Sequence, residues 1–294
     1  MSTFQPPMLL ETTPSPISSS EYIAEPKIDG IRGVFVFESN RAQLWSRHQT
    51  NFTKQYPELC KKPVSGESVI LDGEVAMYNP SIADFDFDGV MDRFRLRNEL
   101  KIKFAAERNP AVFIVWDVLF HNGRDLRMLP LHKRKTILNE ILCEHDSLSK
   151  VASLPGEQGV ALANQIVERG WEGCVYKKID SPYLIGKRSS TWMKWLNNKT
   201  SQAYITGIRK KKFGWMLSIM QNGTLLPAGI LELGTSEGAR KKVWQHAKGR
   251  IINEDSNFYY LEPDPALMIT AKYARVTRNG YMRTPSFKEF VQAN

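Results

Sequence analysis

The chain has 294 residues, 42% hydrophobic and 24% charged, which suits a globular protein of two ordinary domains. No apolar run reaches the length of a membrane span, and the N-terminus lacks the basic start and apolar core of a secretory signal, so the expected compartment is cytoplasmic. Cys60, Cys143 and Cys174 are odd in number and far apart, and the five histidines lack metal-ligand spacing, which argues against a disulfide framework and a zinc site. The net charge of +9 is unevenly placed: residues 201–294 carry 14 Lys/Arg against 7 Asp/Glu, and residues 1–200 carry 26 against 24. A basic final third favours a polyanionic partner, most simply nucleic acid.

In chain order, residues 1–20 are rich in Pro, Ser and Thr and read as an extended lead-in. Apolar, β-prone runs flank Lys27, placing it at the end of one strand and just before the next. Strands are expected at Val34–Phe37, Val69–Met77 and Val112–Phe120, with a charged helical stretch near Arg93–Ala106. Apolar spacing predicts a helix over Leu131–His145 and another over Gln158–Arg169, the latter with Val160, Ala163, Ile166 and Val167 on one face and Gly170 at its end. Cys174–Lys178 and Trp192–Leu196 read as strands. Beyond Lys199 come short β-type runs at Ala203–Ile208, Met216–Met220, Ala228–Leu233 and Leu267–Ala274. A helix at Ser236–Lys248 interrupts them. This pattern fits a small barrel of about five strands, of which the oligonucleotide-binding fold is the common version. The domain boundary is expected near 199–203.

Several stretches carry chemistry-bearing residues. Glu25-Pro26-Lys27-Ile28-Asp29-Gly30-Ile31-Arg32 sets a lysine among acids, an arginine and a glycine. Leu71-Asp72-Gly73-Glu74-Val75 puts an acid at what reads as a strand turn. Trp116-Asp117-Val118-Leu119-Phe120 leads into His121-Asn122-Gly123-Arg124-Asp125-Leu126-Arg127, then Leu129-Pro130-Leu131 and Arg134. Glu172-Gly173-Cys174-Val175-Tyr176-Lys177 adds an acid and a lysine, and Tyr183, Gly186, Arg188-Ser189 and Trp192-Met193-Lys194 complete the set. Gly186-Lys187-Arg188-Ser189 is not a P-loop end: Ser181 stands where the earlier glycine is needed, and Arg188 where Ser or Thr is needed.

In this order and spacing the stretches resemble the ATP-dependent DNA ligases of the covalent nucleotidyltransferase superfamily. Lys27–Arg32 matches the nucleophile motif Lys-x-Asp-Gly-x-Arg, and Trp116–Arg134 separates the chain from capping enzymes and RNA ligases, which share the lysine motif. Pro7-Met8-Leu9 and Arg283-Thr284-Pro285-Ser286-Phe287 resemble small phage ligases and bacterial end-joining ligase domains. The resemblance implies an α+β fold: an ATP-grasp-like, antiparallel-sheet nucleotidyltransferase domain over 1–200, then a small all-β OB-fold domain over 201–294 that binds DNA. It implies ATP as AMP donor, Mg²⁺ or Mn²⁺, nicked duplex DNA as partner, and a monomer in a bacterial or phage-infected cell.

By the same resemblance Lys27 is the nucleophile, with Arg32 and Lys194 as catalytic companions. Glu25, Ile28, Arg32, Arg47, Glu74, Trp116, Glu172, Lys177 and Lys194 line the nucleotide site. Glu25 reads the adenine amino group, Trp116 stacks on the base, and Lys177 and Lys194 face the α-phosphate. Glu74 and Glu172 hold the metal, and Arg32 and Arg47 meet ribose and the nick 5′-phosphate. Asp29 and Gly30 shape the loop, and Asp117 bonds nearby backbone. An amine attacks only when neutral, so nearby positive charge and burial are expected to depress the Lys27 pKa. Arg47, Arg188 and the run Arg209-Lys210-Lys211-Lys212, with Phe213 and Trp215 beside it, are the expected DNA contacts.

The chain departs from the family pattern in two places. Leu196 stands where a second lysine is usual, and Val291, Ala293 and Asn294 stand where the terminal Arg-x-Asp-Lys motif is usual. These favour weakened self-adenylation. The shared lysine chemistry leaves open an RNA ligase or capping-type nucleotidyltransferase, and the missing terminal motif leaves open a degenerate ligase that only binds nucleic acid.

Overall fold

The computed structural model describes residues 4–291, so Ala293 and Asn294 of the terminal pattern lie outside the described residues. The chain divides into two compact units, one ending at Leu196 and the next beginning at Asn197.

The first unit holds two main sheets. One runs in the order Leu9–Thr12, Arg188–Leu196, Gly173–Lys178, Tyr22–Pro26, Leu154–Pro155. The other runs Leu148–Lys150, Val112–His121, Ser68–Ala76, Ile31–Glu38, Arg41–Ser46, with Arg124–Asp125 beside Val112–His121. Leu9–Thr12 and Leu148–Lys150 each pair in parallel, and the other pairings are antiparallel. Ile31–Glu38 shows why the second sheet lacks a polar face. Val34 and Val36 pack with Tyr183 and Trp192 of the first-sheet region, while Phe35 and Phe37 join the opposite cluster with Phe52, Leu71 and Phe113. Alternate side chains point to opposite faces, and here both faces are covered.

Several sequence expectations change. The lead-in contains the strand Leu9–Thr12, whose backbone completes an edge of the first sheet. The turn at Lys27 does not join a hairpin: Tyr22–Pro26 and Ile31–Glu38 belong to different sheets, and Lys27–Gly30 crosses between them. The charged stretch forms two helices, Phe87–Arg95 and Glu99–Arg108. Each is started by a side-chain cap, from Asp86 and Asn98 respectively. The buried face of Gly159–Arg169 is Gly159, Leu162, Ala163 and Ile166, packed against Ala24, Cys174 and Tyr176, while Val160 and Val167 are exposed. Its small residues allow the closest approach to the sheet, so they decide the inward side. Gly170 ends this helix in the left-handed conformation, φ 69°.

In the second unit, Lys199–Arg209 changes partners along its length. Its first half pairs with Met268–Tyr273, its last residues with Phe258–Leu261, and its other edge with Trp215–Gln221. Thr224–Leu231, Ile251–Glu254 and Ser286–Phe290 bring the sheet to seven strands among the described residues, where about five were expected. Ile251–Glu254 escaped notice because all four side chains are exposed, so it has no apolar alternation. The helix Glu237–Ala247, capped by Ser236, packs Ala239, Val243 and Ala247 onto a core with Ile205, Trp215 and Leu217.

Candidate active site

The site lies where Lys27–Gly30 passes from sheet to sheet. Lys27 N–H donates to the Gly173 carbonyl at 2.8 Å, pinning the crossover to the strand that follows Glu172. Gly30 is required there, because a Cβ would stand 2.2 Å from the Val75 carbonyl oxygen. Register then aligns the side chains. Glu25 pairs with Val175, which pairs with Lys194, and Lys177 pairs with Trp192 one step along, so these five share a face of the first sheet. In the second sheet Arg32 lies opposite Glu74. A cavity of about 200 Å³ results, lined by Glu25, Lys27, Ile28, Arg32, Arg47, Glu74, Trp116, Lys177, Arg188 and Lys194, with Leu9, Leu10, Val175 and Trp192 as further walls.

Two ends of the cavity differ in chemistry. At one end Lys27, Arg47, Arg188 and Lys194 supply cations, with Lys27 Nζ 2.8 Å from Glu172 Oε2. Arg47 is exposed, and Arg188 donates to the Leu10 carbonyl. Burial depresses Lys194, and repulsion from Lys27 adds to the effect. At the other end Glu25 is 2% exposed and holds Lys177 at 2.6 Å, Ser153 Oγ at 2.6 Å, and Lys135. Lys177 lies between two indoles, 4.4 Å from the Trp192 ring centre and 5.1 Å from that of Trp116.

The charges follow from these contacts. Burial alone would raise the Glu25 carboxyl, but Lys135 and Lys177 outweigh it and bring it down to about 2. Lys177 shares that one anion with Lys135, so burial and the Lys135 charge prevail and lower it to about 8. Burial raises Glu74 to about 8 against the pull of Lys27 and Arg32, with Glu172 and Asp29 adding to the rise.

Lys27 contradicts the expected depression. Burial does lower its proton affinity, but Glu172 and then Glu74 outweigh it and hold Lys27 above the ordinary lysine value. One further expectation needs correcting, and two gain partners. Lys177 lines the cavity with Lys194 as expected and also meets Glu25. Arg32 lines the cavity and is engaged by the Asp72 carboxylate, at 2.8 and 2.6 Å, with its guanidinium 4.9 Å from the Trp116 ring centre. Glu74 stands inside the strand Ser68–Ala76, not at a turn.

The residues that sequence reasoning missed support those it found. Asp72 also accepts from Tyr183 Oη at 2.8 Å. Asp117 accepts from Val118 N–H as expected, but its main partner is Arg134, at 2.8 and 2.9 Å, with both residues fully buried. Lys135 and Ser153 had no local signal, since each lies more than 100 residues from Glu25 in the chain.

Arg209, Lys210, Lys211 and Lys212 lie in the second unit. Arg209 and Lys212 both pair with Glu232, and Lys210 pairs with Glu254 at 2.8 Å, so three of the four cations already have acidic partners. Trp215 is a core residue rather than a surface aromatic, because its strand turns it toward Ile205 and Leu217.

A family model described as the ATP dependent DNA ligase domain matches residues 7–195. The chain is 32% identical over 287 residues to the SPbeta prophage-derived DNA ligase-like protein LigB of Bacillus subtilis, covering 98% of this chain and 99% of that one. It is 28% identical to the bifunctional non-homologous end joining protein LigD of Bacillus subtilis, covering 95% of this chain but 48% of that protein's length. The solved structure of a mycobacterial DNA ligase D complexed with ATP and MES shares the fold at TM-score 0.56 and 23% identity, covering 99% of this chain and 96% of that one. The mixed α+β architecture is that of a ligase nucleotidyltransferase domain followed by an OB-fold domain. On the match across residues 7–195 and the near full-length similarity to LigB, the chain belongs to the ATP-dependent DNA ligase family.

Proposed function

We propose that this protein seals 5′-phosphate/3′-hydroxyl nicks in duplex DNA with ATP as AMP donor. The observation that carries the reading is Lys27, fixed at the crossover between an indole-walled end and a cationic end of one cavity. The adenine ring stacks on Trp116 beside Glu25, and the triphosphate lies toward Lys194, Arg47 and Arg188. The Lys27 amine attacks the α-phosphorus, forming the N–P bond as pyrophosphate leaves. The adenylyl group next passes to the 5′-phosphate of the nick, and the 3′-hydroxyl displaces AMP. Such transfers depend mainly on positioning and charge neutralisation.

Lys27 must first lose the proton that its ion pair with Glu172 favours. Glu172 and Glu74 are the residues that would hold Mg²⁺ or Mn²⁺. Among the described residues no three Asp, Glu, His or Cys side chains cluster as a metal site. Two carboxylates suit an ion that also takes nucleotide phosphates as ligands. A divalent ion held there would supply charge neutralisation at the phosphates. Glu172 and Glu74 are also the acids that hold the Lys27 proton.

The first domain, residues 1–200, acts as the adenylation module, and residues 201–294 act as the DNA-binding module, working as a monomer in the cytoplasm. Arg47 and Arg188 face the nick. The pairing of Arg209, Lys210 and Lys212 with acids leaves exposed Lys211 as the readiest phosphate contact of that run.

The test is incubation with ATP labelled at the α-phosphate and Mg²⁺, peptide mapping of the label, then addition of nicked DNA. Label on Lys27, absent in Lys27→Ala and chased into sealed DNA, supports the reading. Label retained in Lys27→Ala overturns it. Sealing of nicked RNA in preference to nicked DNA redirects it to RNA ligation, and DNA binding without lysyl-AMP redirects it to a binding protein.

A further inference from the structure

Lys135 belongs to no stretch that pointed to the site, yet it meets Glu25, a carboxylate of the cavity wall. It projects from the helix Leu131–Ile141, forms an ion pair with Glu25 Oε1, and lies 3.1 Å from Ser153 Oγ. Ser153 donates to the same oxygen at 2.6 Å, while Glu25 Oε2 faces Lys177. Glu25 is therefore clamped from the helix, from the segment before Leu154–Pro155, and from the neighbouring strand Gly173–Lys178.

A carboxylate so held has one orientation and one charge state, and an ionised carboxylate only accepts hydrogen bonds. It stands in a cavity whose other wall is the Trp116 indole, a surface that stacks a flat ring. An acceptor at the edge of a stacked purine selects a base that presents an N–H donor there. Without Lys135, Glu25 loses a cation and a fixed rotamer, and its remaining charged partner is Lys177. Lys177 is 2% exposed and leans over Trp192. The carboxylate is then free to turn toward Lys177 and away from the base edge.

We propose that Lys135, with Ser153, is a positioning residue for base selection: it holds Glu25 as an oriented acceptor for the purine amino group. This rests on the reading of the cavity as the nucleotide site. It adds residues outside the ligase motifs to the machinery of base choice.

The experiment compares ATP with purine riboside triphosphate, which lacks the 6-amino group, in wild type, Lys135→Met, Lys135→Arg and Ser153→Ala. Outer supporting contacts at a site are commonly worth about 10–100-fold when removed. Wild type should prefer ATP strongly in KM for Lys27 labelling. Lys135→Met should raise KM for ATP about tenfold, leave kcat within about twofold, and shrink the preference for ATP about tenfold, since the lost contact belongs to the base edge. Lys135→Arg should restore most of the preference, and Ser153→Ala should show a smaller loss in the same direction. A Lys135→Met protein of normal melting temperature that kept the full preference would overturn the proposal. So would one that lost kcat with the preference intact.

Equilibrium binding of AMP and of purine riboside monophosphate to the same variants separates this idea from the reaction assignment. If wild type takes no label on Lys27 but prefers AMP, and Lys135→Met loses that preference, the base-selection role stands while the ligation reading falls. If wild type binds both monophosphates equally, Glu25 reads no amino group and the proposal fails.

Discussion

Replacing Arg134 by methionine tests whether the first unit rests on a buried ion pair at the residue next to Trp116. Arg134 and Asp117 are both fully buried, and the guanidinium also donates to the carbonyls of Leu129 and Ser181. Methionine keeps much of the volume but leaves the Asp117 carboxylate with the Val118 N–H as its remaining hydrogen bond. Removing one partner of a buried pair costs about 3–5 kcal/mol, because the other charge is stranded. For a unit of this size each kcal/mol lowers Tm by about 2–4 °C, so a drop of roughly 6–20 °C is expected. Because the chain has two units, hydrogen exchange of first-unit peptides is the suitable readout, with urea unfolding beside it. The paired substitution Asp117→Leu with Arg134→Met removes both charges and should cost less than Arg134→Met alone. A loss below about 1 kcal/mol in Arg134→Met, or a double variant that loses the sum of the singles, would refute the stranded-charge argument.

Glu25 gives an acid-limb prediction. Lys135 and Lys177 hold its carboxyl down to about 2 in the fold against the ordinary 4.5, so its stabilisation is complete above 4.5 and disappears as pH falls toward 2. The shift corresponds to about 3 kcal/mol, and Glu25→Gln should flatten stability against pH across that window in urea titrations. Glu172→Gln should move the pH midpoint of Lys27 acylation by an amine-selective reagent, without metal, to lower pH, since Glu172 contributes most among the acids that together outweigh burial in holding the proton. An unmoved midpoint would contradict that assignment. Trp116→Ala should raise KM for ATP about tenfold, at the lower end of what base–aromatic stacking is worth. Gly30→Ala should destabilise the first unit by about 1–3 kcal/mol in denaturant titrations, because its Cβ would overlap the Val75 carbonyl.

What was legible in the sequence was chemistry in local order. Lys27, Glu172, Trp116 and Lys194 were found because each sits in a short run whose residue types match a task, and the structure gathers them at one cavity or against it. What was not legible depends on register and packing. Lys135 and Ser153 reach Glu25 only because a helix and a short strand fold back beside Tyr22–Pro26. Lys177 could be assigned to the cavity face by its alternation with Val175. Its position along that face follows from the indoles of Trp116 and Trp192. The proton affinity of Lys27 was misjudged for a related reason: the sequence places both acids and cations nearby, and distance decides between them. Glu172 at 2.8 Å, with Glu74 and Asp29, prevails over burial.

The crossover also explains how one short segment serves two kinds of control. Glu25 belongs to the first sheet and is neutralised by Lys135 and Lys177, so its charge is settled locally and permanently. Lys27, two residues on, stands past the end of that strand and faces Glu172, its ion-pair partner, and Glu74. Burial pushes Glu74 up to about 8, so this acid responds to an approaching cation in a way that Glu25 does not. The peptide between the two residues is fixed by the Lys27 N–H bond to Gly173 and by the close approach at Gly30. A change of charge at Lys27 can therefore occur without turning Glu25. Under the proposed function, base recognition at Glu25 and amine activation at Lys27 are thus physically separable, although only two positions divide them in the chain.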